Sequence, residues 1–272
     1  MSNVFVIEPP RRRVSLGLRE MWRHRELLYF LAWRDVKVRY KQTVLGLAWA
    51  VLQPLLLVVV FTLFFGRLAG IPSDGVPYVA FALSGLVLWT SFMNGLMGAS
   101  NSLVEQQSLI TKVYFPRNIL PIAPVAAALV DLVIASGLLV GLILLLDIPL
   151  APRLVLAPFF AMLAILTAVG LGLWLAGLNA KYRDVRYIVP FFMQLLLFAG
   201  PIAYPSSLVP DAWKAVYYLN PMAAAIDGWR WAWLGTSAPT PYYVISCAVA
   251  LALVVFGFAY FRAVERNLAD VV

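Results

Sequence analysis

One cysteine, Cys247, and one histidine, His24, are all that 272 residues hold of the two side chains that most often staple or metallate a fold. The first excludes an intramolecular disulfide framework and the second a histidine-based metal site. Charge is scarce as well: Asp, Glu, Lys and Arg make up 12% of the chain against 62% hydrophobic residues, a balance outside that of soluble domains. No Gly-x-x-x-x-Gly-Lys-Ser/Thr cradle for a nucleotide occurs, and no nucleophile stands beside a base. The acids Asp74, Asp147, Asp211 and Asp227 are dispersed through three connectors. The composition points to a membrane protein that is not an enzyme, and any work it does against a gradient must draw on another chain or on an ion.

What the chain does have is apolar length. Residues 42–66, 75–104, 154–180, 187–210 and 231–261 contain no charged side chain, and 118–146 only Asp131. A bilayer core of about 30 Å needs roughly 20 apolar residues per helix, so each stretch can cross once. Six crossings put both termini on one side. The arm from Arg11 to Lys41 carries ten Lys and Arg; with Lys112, Arg117, Lys181, Arg183, Arg186, Arg262 and Arg266 that side holds seventeen, against Arg67, Arg153, Lys214 and Arg230 on the other. Positive residues are retained inside, which predicts cytoplasmic termini. The expected architecture is all-α and polytopic: an arm at 1–41 with an amphipathic interface helix, a six-span domain at 42–263, and a tail at 264–272. Basic residues crowd the region before the first apolar run, so no cleavable signal peptide is expected.

The connectors carry more pattern than loops require. Residues 16–40 mix Leu, Trp and Phe with Arg and Lys and contain no proline, the composition of a helix lying at the membrane face, with Trp22, Tyr29, Phe30 and Trp33 among the headgroups. It serves as an anchor or takes part in gating. Between spans two and three, Ser102 and Glu105 have capping-box spacing, Leu103, Ile110 and Val113 offer apolar contacts, and Pro116 ends the segment. A helix there floats on the bilayer or docks in a groove of a soluble partner, and spacing alone does not choose. Residues 179–187 are short and basic, as positive-inside retention asks. At 205–241 two half-helices are expected: one starting after Pro210, the other capped by Asn220, begun by Pro221 and closed by Gly235. Gly200-Pro201 breaks the fifth span just before them, which suggests a re-entrant outer gate, since non-helical backbone at membrane depth needs cover. The neighbouring Trp213, Tyr217, Tyr218, Trp229, Trp231 and Trp233 read as an interface belt, or as faces on which sugars stack. Asp131 finds no mid-span Lys or Arg, so a hydrogen bond from Gln53, Asn94, Gln194 or a tyrosine is expected, with proton coupling as the other reading. Pro54 is expected to bend the first span, and Gly137 with Gly141 to allow close packing in the third.

Five patches, in order, carry a family resemblance: Arg39-Tyr-Lys-Gln-Thr-Val-Leu-Gly-Leu-Ala-Trp-Ala-Val-Leu-Gln-Pro54, Leu109-Ile-Thr-Lys-Val-Tyr-Phe-Pro-Arg117, Tyr182-Arg-Asp-Val185 with Pro190, Pro201-Ile-Ala-Tyr204, and Tyr218-Leu-Asn-Pro-Met222. The chain resembles the ABC-2 type permeases that export O-antigen, capsule or teichoic acid across the bacterial inner membrane. The resemblance implies a homodimer served by two separate ATP-binding subunits, which hold the ATP and Mg; this chain binds no cofactor. It casts Ser102, Leu103, Glu105, Leu109, Ile110 and Thr111 as a coupling helix, and Tyr182, Arg183 and Asp184 as a second contact with the ATPase. Trp213, Tyr217, Tyr218, Asn220 and Trp229 fall in the outer gate or glycan path. Arg34, Arg39 and Lys41 suit the pyrophosphate of a polyisoprenyl-linked glycan through charge-assisted bonds. The competing readings are an exporter of a drug or lipid, a membrane-embedded glycan-modifying enzyme, and a scaffold.

Overall fold

The computed structural model describes residues 18–41, 47–112, 115–182 and 184–265. Expectations for Arg183, Val113, Arg266 and most of the tail, and part of the first resemblance patch, fall outside them. Among the described residues every regular element is helical. Two helices, α1 (Leu18–Arg23) and α2 (Arg25–Lys41), precede α3 (Leu47–Phe61), which continues as a π-helix over Thr62–Leu68. Next come α4 (Tyr78–Glu105), α5 (Gln107–Lys112) and α6 (Ile119–Leu145), then α7 (Ala157–Lys181), led in by a 3-10 turn at Pro152–Leu156. The chain closes with α8 (Val185–Ala199), the short α9 (Asp211–Tyr217), α10 (Pro221–Leu234) and α11 (Tyr243–Glu265).

Five segments are long and apolar enough to cross a membrane: Val51–Leu68, Tyr78–Glu105, Ile119–Leu145, Pro152–Lys181 and Tyr243–Glu265. This is a multi-pass membrane protein. Two of the apolar runs divide differently from the charge count. The fifth is helical only over the 15 residues of α8, about 22 Å, short of a hydrocarbon core of about 30 Å. Pro201 has no N–H to continue a helix and disfavours helical backbone at Gly200, so the run stops there. In the last run, residues 231–234 complete α10, and α11 begins only after Pro239 and Pro241.

Helix α4 is the hub, packing on α3, α6, α7, α8 and α10. Its small residues Ala80, Ala82, Ser84 and Gly85 are buried and admit those neighbours closely. The tightest crossing joins α7 to α11: a Cβ at Gly257 would lie 2.2 Å from the Gly170 carbonyl oxygen, and one at Gly170 2.7 Å from the Val254 nitrogen. Gly137 and Gly141, expected to serve close packing, meet nothing within 4 Å. Their spacing is helical, but they face away from the bundle.

At the end where α4 finishes and α6 begins, called here the basic end, a second apolar cluster gathers Leu31, Leu103, Ile110, Phe115, Ile119 and Phe258. Helix α2 is therefore part of the bundle. Leu31 sits with Ile119 and Leu120 at the start of α6, and eight residues later Arg39 reaches Asp131. A helix that advances in step with its neighbour runs alongside it, so α2 packs along the first half of α6. Trp22, Tyr29, Phe30 and Trp33 remain exposed along it, as headgroup contact would require.

Replacing Gly257 with leucine forces side-chain atoms into the α7 backbone. Overpacking of this kind costs about 1–3 kcal/mol or more, so the Tm of the detergent-solubilised protein should fall by about 3–10 °C, whereas Gly137→Leu should leave it unchanged. Equal melting of the two variants would refute the crossing.

Candidate functional site

Three polar constellations interrupt the apolar bundle. The first lies at the far end, opposite the basic end. Helix α10 forms as its ends predict: Asn220 Oδ1 accepts from the Met222 N–H, Pro221 opens the first turn, and Gly235 closes it at φ 76°. All of its residues but Trp231 are buried. Among them is Arg230, 1% exposed, a charge that survives there only if fully engaged. Its Nε donates to the Phe81 carbonyl at 3.2 Å and to Ser84 Oγ at 3.4 Å, and its Nη2 donates to the Pro201 carbonyl at 2.7 Å. The guanidinium lies 3.6 Å from the centre of the Phe81 ring, within cation–π range. Asp227, one helical turn earlier, lies 3.7 Å from Nη1 and accepts from the Tyr218 hydroxyl at 3.0 Å. Gly85 makes the room, because a Cβ there would meet Arg230 Nη2 at 2.7 Å.

Arg230 thus joins the start of α4, the non-helical stretch after α8, and α10. Tyr78 adds a second tie by donating to the Ala203 carbonyl at 2.7 Å. The backbone freed by the break in α8 is bonded by protein and not left to lipid. Outside this knot, α9 is exposed: Trp213 and Val216 face outward, as does Leu219 just beyond its end. Lys214 lies 2.7 Å from Asp211, and its ammonium holds that carboxyl below the usual carboxylate range.

The second constellation surrounds Asp131, midway along α6. Arg39 and Tyr40, from the end of α2, both donate to its carboxylate, and Asn94 Nδ2 of α4 lies 3.4 Å away. Asn94 and a tyrosine are partners the sequence offers; Gln53 and Gln194 are exposed instead. The expectation that no Lys or Arg pairs with Asp131 is corrected, since the cation arrives from outside the spans. Arg39 is accordingly paired with Asp131 while its side chain stays 35% exposed. Arg34 bonds its neighbour Asp35 at 2.8 Å, and Lys41 is exposed at the end of α2.

The third is at the basic end, where α4 runs on through Ser102 to Glu105. Ser102 Oγ donates to the Ala99 carbonyl at 2.7 Å, so it caps nothing, and the short helix α5 starts only at Gln107. Leu103 and Ile110 are buried in this chain's own core, and Leu109 is half-buried against it. The surface left for a partner is polar: Glu105, Gln107, Ser108 and Lys112; the Thr111 side chain is outside the described set. The second connector adds Tyr182, 52% exposed beneath the Lys181 ammonium, and exposed Asp184. Between the two lies an open groove of about 250 Å³ lined by Asn101, Val104, Glu105, Asn179, Arg186 and Tyr187. Asn179 fixes its floor by donating to the Ser100 carbonyl at 2.9 Å and Asn101 Oδ1 at 3.0 Å.

The expected aromatic belt divides. Tyr218, Trp229 and Trp233 are core residues, with the Trp229 and Trp233 rings 5.5 Å apart, and neither headgroups nor sugars can reach their faces. Tyr217 is half-buried and Trp213 alone is fully outward. Arg230 and Asp227 had passed for outer-loop charges. Their signal was present, because a turn apart on a half-helix they face the same side.

The family described as ABC-2 type transporter matches residues 26–234. The chain is 29% identical to an O-antigen export system permease protein of Myxococcus xanthus, over 78% of this chain and 82% of that one. An O-antigen export system permease protein of Klebsiella pneumoniae is 24% identical over 90% and 95% of the two chains. A capsule polysaccharide export inner-membrane protein of Neisseria meningitidis is 26% identical over 82% and 86%.

Arg230→Met should leave Asp227 buried without its cation and the Pro201 carbonyl without its donor. Breaking a buried pair from one side costs about 3–5 kcal/mol, to be read as a lower Tm in detergent. Adding Asp227→Asn should recover part of the loss, and a single variant that melts with the wild type would sink the assignment.

Proposed function

The chain belongs to the ABC-2 type transporter family, and from that premise we propose that it is the permease subunit of an ATP-driven polysaccharide exporter of the inner membrane. The cargo is a glycan carried on a polyisoprenyl pyrophosphate, of O-antigen or capsule type. One observation carries the reading: similarity to O-antigen and capsule export permeases runs over four-fifths or more of their length. Hydrolysis belongs to a separate subunit that binds ATP and Mg.

The parts take roles that follow from their exposure. In the proposed six-span topology both termini are cytoplasmic, the basic end faces the cytoplasm, and α8 with the covered stretch 200–205 completes the fifth crossing. Helices α3 and α8 are left with apolar faces unpartnered in this chain, including Leu56 and Val59 on the first, Phe64 on its π-helical continuation, and Phe191, Phe192 and Leu195 on the second. Facing their counterparts in a second copy, they would form the interface and the walls of a conduit. Aromatic walls contact sugar rings without demanding one sequence of sugars. Helix α5 and the Tyr182–Asp184 turn would seat on the ATP-binding subunit through their polar faces. Helix α9 would form the outer rim, and Arg34 with Lys41 the cationic approach for the pyrophosphate.

Co-expressed with its ATP-binding subunit, the permease should co-purify with it, and adding the lipid-linked glycan should raise ATP hydrolysis. Ser108→Arg, on the exposed face of α5, should cut co-purification roughly tenfold, a penalty of about 1.4 kcal/mol, without changing membrane insertion. Stable co-purification of that variant would move the coupling surface elsewhere; hydrolysis indifferent to glycan would reject the cargo.

A further inference from the structure

Helix α3 has little to hold it. Its apolar stretch is only 17% buried in this chain, against 78% for α4, and the side chains that would line a conduit face outward. The helix packs mainly on α4 and α6, so its entry point also depends on where α2 delivers the chain. Helix α2 ends at Lys41, six positions before α3 begins at Leu47, and that end is where Arg39 and Tyr40 donate to Asp131.

We propose that Asp131, with Arg39 and Tyr40, is an intramembrane clasp that positions the start of the conduit-lining helix α3. Each part of the cluster is needed for a physical reason. Asp131 is 8% exposed and lies 12 residues into α6, about 18 Å from its first turn, where a bare carboxylate costs about 2.5–3.5 kcal/mol or more. Arg39 supplies the neutralising charge, Tyr40 fills the second oxygen, and Asn94 approaches from α4. Lower on the same helix, Leu31 is locked among Ile110, Phe115 and Ile119. Two fixed points eight residues apart set both the tilt and the height of α2, and so limit where a chain that leaves Lys41 can enter α3 at Leu47. Arg39, Tyr40 and Asp131 are positioning residues, because they act on cargo only through where they hold α3.

Export in the first arm of the test rests on the transporter reading; the second arm needs neither ATP-binding subunit nor cargo, so the two readings fail separately. In membranes containing the full exporter, Arg39→Asp and Asp131→Arg should each lower export roughly tenfold or more, and the charge-swapped double variant should return it to within a few-fold of wild type. In the second arm, a chain carrying Cys247→Ala and Val38→Cys is labelled from the cytoplasmic side with a membrane-impermeant maleimide. Adding Asp131→Asn, a near-isosteric change that removes the charge and turns one acceptor oxygen into an N–H donor, should free the end of α2 and speed labelling about threefold or more, and the swap should slow it again. Labelling that ignores Asp131→Asn overturns the clasp. A swap no better than either single variant overturns it too, whether judged by export or by accumulation where a single variant fails to insert. A swap that restores labelling but not export assigns Arg39 to the cargo instead and removes the clasp as the cause of the export loss.

Discussion

Inside a bilayer an ionised side chain or an unpaired carbonyl can be answered only by another part of the protein. Arg230 meets that constraint at one end of this molecule. The break at Gly200-Pro201 shortens α8 and turns the chain through a non-helical stretch, and the Pro201 carbonyl it releases accepts from Arg230. The same guanidinium lies on Phe81 and bonds the first turns of α4. The shortness of α8, the burial of α10 and the small residues at the start of α4 are three aspects of one solution. Asp131 poses the same problem with the opposite sign, and the answer comes from a helix that composition alone would place on the membrane surface.

The two knots divide the molecule into parts that differ in their freedom. Helices α4, α7, α10 and the middle of α6 form a packed block, closed on α11 by the backbone contact at Gly170 and Gly257. Helices α3, α8 and α9 border it with large exposed apolar faces. An interior at crystal-like density does not deform gradually, so rearrangement falls to the border. Of the two half-helices expected at the outer gate, α10 is buried in that block and α9 is exposed.

The parts of this architecture that follow local rules were legible in the sequence. Apolar runs located four of the five long helices to within about five residues, though the last run opens well before α11 at Tyr243, and Asn220, Pro221 and Gly235 marked the ends of α10 because capping chemistry is a matter of neighbours. Distance defeated the rest. Arg39 and Asp131 stand 92 positions apart, and nothing in either vicinity names the other. Ser102 and Glu105 matched a capping pattern, yet α4 had no reason to end there, since the buried Ser102 hydroxyl could satisfy itself on the preceding turn. Gly137 and Gly141 had the motif of a close crossing, while Gly170 and Gly257, which make one, lie on different helices and form no motif. The aromatic residues misled for a related reason: Trp213 and Trp229 have the same composition around them, and only the packing of α10 against α4 and α7 sends the second into the core.

In the proposed exporter, force arrives at α5, and the structure limits where it can go. Ile110 of α5 shares a core with Leu31 of α2 and with Phe115, Ile119 and Phe258. Two routes leave that core. One follows α4 to the far end, but α4 is held there by Arg230 and packed along most of its length, so a push on it must move the block as a whole. The other follows α2, held along α6 at Leu31 and Asp131, to α3, whose apolar stretch is only 17% buried. A helix with few contacts resists displacement less than one with many, because each packed atom pair contributes only about 0.1–0.2 kcal/mol and the sum sets the stiffness. In such an exporter the asymmetry in burial would therefore direct motion at the basic end through α2 as a unit toward α3, with the far-end knot as the fixed point against which it works.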